Sequence, residues 1–220
     1  MWFVRFRPIT VLLAVMLSAV VAPARAQSSA PEPASSPARA TLARSTLGVS
    51  VRVHGIAGRM NTDIHPGAGG HAATGVGGEV AYGASPRLTL FGGLTRMAST
   101  SSTTAVSTDY TIRQGDIGLR WMTHPGARVR PFAEAALAVR RLAFTLGAGN
   151  PRDYTAFDGG ATAALGVMLF QTDRVSLEGA ATYTGGTFST WKVDGEPQPI
   201  AAMASSTLGV RVGARYWFQK

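Results

Sequence analysis

The sequence predicts an all-β fold, an eight-stranded antiparallel up-and-down transmembrane barrel, and three observations carry that prediction. Apolar residues recur at every second position in eight separate segments between Leu47 and Phe218, the period of a strand with one greasy face. Tight turns and longer polar connections alternate strictly between those segments. A secretory leader stands in front of them.

In the leader, Arg5 and Arg7 precede an apolar run from Ile9 to Ala22, and small residues Ala24 and Ala26 follow in "PARAQ". A basic region, a short apolar region and a small-residue cleavage site make residues 1–26 a signal peptide cut before Gln27. The apolar run is shorter than the roughly 20 residues of a spanning helix. Removing Arg5, Arg7 and Arg25 lowers the formal charge from +9 to +6. That surplus forms no basic run or basic–aromatic cluster, so no nucleic-acid partner is expected. Cysteine is absent, which excludes disulfides and thiol chemistry. Residues 27–45, "QSSAPEPASSPARATLARS", are rich in Pro, Ala and Ser and read as a disordered periplasmic tether. Residues 46–220 remain for the barrel.

The first segment, "LGVSVRVHGIAG", sets Leu47, Val49, Val51 and Val53 against Gly48, Ser50, Arg52 and His54. The second alternates Val76, Val80 and Tyr82 against Gly77 and Glu79; the third carries Leu88, Leu90 and Leu94, with Phe91 out of phase. The fourth, from about Asp109 to Thr123, places Ile117, Leu119 and Trp121 opposite Asp116, Gly118 and Arg120. Tyr110 and Ile112 fall in the other phase, which suggests a bulge near Arg113 to Gly115. The fifth sets Val129, Ala133, Ala135, Leu137 and Val139 against Arg130, Glu134 and Arg140, and the sixth sets Phe157 to Leu169 against Asp158, Thr162 and Gly166. The seventh sets Val175, Leu177, Ala181 and Tyr183 against Glu178, Thr182 and Thr184. The last, "LGVRVGARYWF", keeps an apolar row from Leu208 to Phe218 opposite Arg211, Arg215 and Trp217. Each segment supplies the roughly 9–11 residues of a tilted spanning strand, and period 2 excludes a helix.

Turns "SP", "HPGA" and "QTDR" join segments two to three, four to five and six to seven. The other connections, "RMNTDIHPGAGGHAA", "ASTSSTTAVS", "TLGAGNPRDY" and "WKVDGEPQPIAAM", are longer and polar. Outer-membrane barrels sort their connections in this way, with short periplasmic turns and long extracellular loops. Both termini are then expected in the periplasm. Tyr82, Trp121, Tyr216 and Phe218 lie at the short-turn ends of apolar rows, and Tyr110, Phe157 and Tyr183 towards the other ends. Together they would form two interfacial aromatic girdles.

With its signal peptide, eight alternating segments over residues 47–218 and near-terminal "ARYWF", the chain resembles the small eight-stranded outer-membrane barrels of Gram-negative bacteria. The likeness is to the OmpA transmembrane-domain, OmpX and opacity-protein types. It implies a porin-like cell-envelope protein whose last strand is read by the barrel assembly machinery, although Gln219 and Lys220 follow Phe218 here.

The inward faces collect Arg52, Arg120, Arg130, Arg140, Arg211 and Arg215 against Glu79, Asp116, Glu134, Asp158 and Glu178. Eight strands enclose a lumen that side chains fill, so these charges are expected to pair, Arg52 with Glu79 and Glu178 with Arg215 among them. A packed polar plug is the expected result, with a narrow ion path as the alternative. The expected function is a non-enzymatic outer-membrane barrel working through four extracellular loops, in surface interaction or envelope integrity, as a monomer. Its partners would be outer-membrane lipids and lipopolysaccharide, with a host or cell-surface ligand at the loops. Arg96, Arg141, Arg152 and Lys192, near the long-loop ends, would meet lipopolysaccharide phosphates or serve as solubilising charge, and the second is favoured.

Other chemistries find less support. A lipid-modifying enzyme on the same scaffold needs a nucleophile and base, but Ser50 and His54 are four residues apart on one strand, roughly 13–14 Å. Asp63, His65 and His71 match no zinc spacing, and "GAGG" and "GVGG" lack the lysine and helix of a phosphate loop. No cofactor is expected. A soluble lipocalin-type barrel would need the apolar face inside, the reverse of this charge pattern.

Overall fold

A strand with one apolar and one charged face can hide neither its backbone nor its side chains alone. Closing such strands on one another solves both problems, because no edge is left and the faces sort into outside and lumen. The computed structural model, which describes residues 46–62, 71–102, 107–146 and 150–218, has this arrangement. Its strands are β1 (Gly48–Thr62), β2 (His71–Gly83), β3 (Leu88–Ser102), β4 (Ser107–Met122), β5 (Val129–Leu146), β6 (Arg152–Phe170), β7 (Val175–Val193), a three-residue β8 (Glu196–Gln198) and β9 (Met203–Phe218). Eight long strands pair antiparallel with their neighbours, and β8 folds back on β7. β9 pairs with both β7 and β1, Val49 lying opposite Phe218, and this closes the barrel. The signal peptide and tether read from residues 1–45, and Gln219 and Lys220, lie outside the described residues.

The apolar rows face outward. Val53, Leu94, Ile117 and Leu137 are 69–74 % exposed, which water would not tolerate over so large a continuous surface. On β5 the row runs from Val129 to Val139, a rise of about 33 Å along the strand. At a tilt of about 40° it spans about 25 Å of height, the thickness of an outer-membrane lipid belt. Tyr82, Trp121, Tyr216 and Phe218 are exposed on the outer face at the short-turn end, with Tyr216 and Phe218 edge to face at 5.0 Å. Phe157 is exposed and Tyr183 half-buried on the same face, further towards the other end.

Three features differ from the sequence expectation. β4 carries no bulge: its pairing with β3 runs unbroken from Leu88 opposite Trp121 to Ser102 opposite Ser107. Tyr110 and Ile112 therefore keep the inward phase of Asp116 and Arg120, and Tyr110, 3 % exposed, belongs to the lumen and not to a girdle. The bulge lies in β7, where Phe157 pairs with Thr190 but Asp158 pairs with Phe188, leaving Ser189 extra. That extra residue reverses the phase, so Phe188 and then Trp191 and Val193 are all buried inside. Lastly, the strands run on into the long polar connections. β5 runs to Leu146 and β6 starts at Arg152, so the strands overhang the belt at this end.

The short turns are built by side chains. The Ser85 hydroxyl accepts from the N–H groups of Arg87 and Leu88 at 3.3 and 3.0 Å, and the Thr172 hydroxyl from Arg174 and Val175 at 3.2 and 3.0 Å. Asp194 and Gly195, both at positive φ, form the hairpin from β7 to β8.

Closure can be tested by cross-linking, since the chain has no cysteine of its own. Val51 lies opposite Tyr216 across the β1–β9 seam. V51C/Y216C is expected to form an intramolecular disulfide on mild oxidation of the folded protein, read as a reductant-sensitive gel shift after boiling. Failure to cross-link would refute closure of the sheet at this register.

Candidate functional site: a charged lumen

Register brings the inward charges together. Arg52 stands directly opposite Glu79 on β2 and Arg215 on β9, and Arg120 opposite Glu134 on β5. Glu79 accepts from Arg52, from Arg215 Nη2 at 2.5 Å and from Arg120 Nη2 at 3.3 Å. Glu134 accepts from Arg120 Nε at 2.7 Å and Arg211 Nη2 at 2.5 Å, with Arg52 Nη1 at 3.6 Å. Glu178 accepts from Arg215 and from Arg52 Nη1 at 2.9 Å, with Arg120 Nη2 at 3.4 Å. Three carboxylates are thus each shared among three of four guanidinium groups. Dividing charge this way offsets the several kcal/mol per ion that desolvation costs.

Towards the short turns the lumen becomes apolar. Met122, Phe132, Ala164, Met168, Phe170, Ala180 and Trp217 form a buried cluster. Cations lie on its rings: Arg120 is 4.9 Å from the Phe132 centroid, Arg130 4.4 Å from Phe170 and Arg215 5.5 Å from Trp217. Arg130 also donates to the Ala127 carbonyl at 3.0 Å, so it belongs to this plug and not to the shared-carboxylate cluster.

Above the cluster the lumen is lined by hydroxyls and amides. His54 Nε2 lies 3.2 Å from Thr95 Oγ1, and Asp116 accepts from Gln114 Nε2 at 2.9 Å and Thr162 Oγ1 at 3.0 Å. A cavity of about 30 Å³ between these residues has room for one or two waters. Next, Arg140 binds Asp158 and donates to Ser205 Oγ at 2.6 Å, while the Thr187 N–H donates to Asp158 at 3.1 Å. At the overhanging end Met60, Met97, Tyr110, Ile112, Leu142, Phe144, Phe188 and Trp191 form a second apolar cluster in the lumen.

Among the described residues Ser50 and His54 do not come together. Ser50 Oγ is held by Arg215 Nη1 at 2.9 Å, away from His54, and His54 is engaged by Thr95. Asp63 and His65 lie outside the described residues; His71 stacks on Tyr110 with ring centroids 5.8 Å apart. Among the described residues no group of three metal-ligating side chains converges. The plug aromatics Phe132 and Phe170 carry no role in the sequence reading, although their inward phase is that of Arg120 and Arg130, which they support.

No protein-family model matches the sequence, and no curated protein matches it. Among solved structures the chain is similar to Neisserial surface protein A, at 19 % identity over 78 % of this chain and 97 % of that one, with a TM-score of 0.56. The fold is that of the small eight-stranded outer-membrane barrels. It is also similar to the outer membrane protein OprG from Pseudomonas aeruginosa, at 11 % identity over 80 % of this chain and 98 % of that one, with a TM-score of 0.55.

For this outer-membrane-type barrel, loss of one shared carboxylate leaves three buried guanidinium groups short of a partner. Glu79→Ala is expected to destabilise the folded barrel by about 3–5 kcal/mol, measured as a lowered urea midpoint of the heat-modifiable gel form. An unchanged midpoint would show that the cluster does not hold the barrel together.

Proposed function

We propose that the chain is a non-enzymatic barrel of the bacterial outer membrane whose lumen conducts nothing and whose working surface is the overhanging end. The observation that carries this reading is the shared Arg–Glu cluster enclosed between two apolar plugs. An ion crossing it would have to break buried pairs and then pass a dry constriction at each end. The apolar belt and its aromatic borders support insertion in the outer membrane, and its fold supports that placement. Short turns and both termini would face the periplasm, with the assembly machinery handling the last strand during biogenesis. The strand overhangs and their connecting loops would face outward, where a host or cell-surface ligand is the partner this shape suits.

Planar-bilayer recording tests the reading. The refolded full chain is expected to give no stable conductance steps above the bare membrane. Reproducible steps would overturn the closed lumen and favour an ion path. The engagement of Ser50 by Arg215 and of His54 by Thr95 supports the non-enzymatic reading. A deletion strain is accordingly expected to keep unchanged lipid A and phospholipid acyl profiles by mass spectrometry; an altered profile restored by the wild-type chain would overturn it.

A further inference from the structure

On the outer face, Arg96 of β3, Arg113 of β4 and Arg141 of β5 are direct cross-strand partners: Arg96 pairs with Arg113, and Arg113 with Arg141. All three are exposed. Cross-strand neighbours hold their Cβ atoms about 5 Å apart, and like charges at that spacing repel. Among the described residues none of the three forms an ion pair. The Arg141 guanidinium instead lies 5.8 Å from the ring of Phe157, the next residue along the row. No carboxylate of the described residues supplies the counter-charge, which leaves the row open to an anion from outside the chain.

The position says what kind of molecule would bring it. On these strands no large apolar side chain faces outward beyond the arginines, which places them at the edge of the lipid belt. The row immediately below them is Leu94, Gly115 and Val139, again in register. Gly115 leaves a notch between two exposed apolar side chains. A Cβ there would be 3.5 Å from Leu94 Cδ2, an ordinary contact, so packing does not demand the glycine. The surface is thus a cationic ledge over an apolar slot, complementary to an amphiphile with an anionic head and a hydrocarbon tail. A guanidinium row suits phosphate oxygens in particular.

We propose that Arg96, Arg113 and Arg141 dock a phosphorylated glycolipid of the outer leaflet, its phosphates on the ledge and an acyl chain in the Gly115 notch. The proposal rests on the outer-membrane reading above. Arg152 and Lys192 take no part: Arg152 is 3.9 Å from Asp194 and neither residue is in the row. A soluble polyanion would satisfy the arginines but would have no use for the notch.

The test uses the refolded full chain in mixed micelles with bisphosphorylated or dephosphorylated lipid A, counting bound lipid by native mass spectrometry. Gel heat-modifiability confirms that each variant is folded. Wild type is expected to bind the bisphosphorylated form about tenfold more tightly than the dephosphorylated one. R113Q is expected to lose about threefold of that preference, and R96Q/R113Q/R141Q the whole of it. G115L, which keeps every charge, is expected to weaken binding, and R152Q to leave it unchanged. Equal binding of the two lipid forms, or full binding by the triple variant, would overturn the proposal. Should the triple variant not fold, R113Q and G115L decide it. Displacement of lipid by heparin equally from wild type and G115L would point to a soluble polyanion and overturn it too. A barrel silent in bilayers yet indifferent to the phosphates loses the ledge and keeps the closed-lumen reading.

Discussion

Eight strands leave a lumen only as wide as the side chains that fill it, and the rest of the structure follows from that restriction. A charge placed inside has no room for its own water shell, so it must find partners across the bore. Arg52 reaches Glu79, Glu134 and Glu178, which come from three different strands, and each glutamate is reached in turn by three arginines. The cluster therefore joins opposite walls of the barrel as well as neighbours. The low local dielectric that makes an unpaired ion so costly also strengthens the pairs once made.

Two apolar clusters flank the ions, one towards each end of the barrel. They are built differently. At the short-turn end the aromatic residues lie beneath the arginines, as Trp217 does beside Arg215, so a single period-2 row supplies both cation and ring. At the overhanging end the plug needs residues that regular alternation would not deliver. The extra Ser189 in β7 turns Trp191 inward, where it meets Phe144 and Phe188 in edge-to-face contacts at 6.4 Å. A bulge near a barrel rim thus re-aims one large side chain and helps to seal the end.

Strand number, phase and closure were legible in the sequence because charge tolerates only one side of such a barrel. Arg120 or Glu178 can face only the lumen, and each fixes the phase of its strand. Apolar residues are ambiguous, since both lipid and a plugged lumen will take them. Tyr110 and Ile112 are ambiguous for that reason: period 2 read from the outer row calls for a bulge in β4, whereas both residues face the plugged lumen in an unbroken strand. The strand overhangs were hidden by the reverse effect: above the lipid belt a strand may be polar on its outer face, so its composition is that of a loop. Register was legible only near the tight turns, where Arg52 and Glu79 count back from one hairpin. The alignment of Arg113 between Arg96 and Arg141, ten or more residues from the nearest turn on two strands, emerges only from the completed sheet.

Arginine therefore has two meanings in this chain, and phase separates them. Inside, four guanidinium groups are held with three carboxylates supplied by other strands, which is what a structural role requires. Outside, Arg96, Arg113 and Arg141 lie side by side with no carboxylate between them. Cations needed only for solubility would sit on the overhangs and beside acids, as Arg152 does beside Asp194. A row of three at the margin of the lipid belt keeps its mutual repulsion in the bare protein. Occupation by an external anion relieves that repulsion. On the proposed reading, the anion that reaches this depth is the head of a lipid whose tail would lie against Leu94 and Val139.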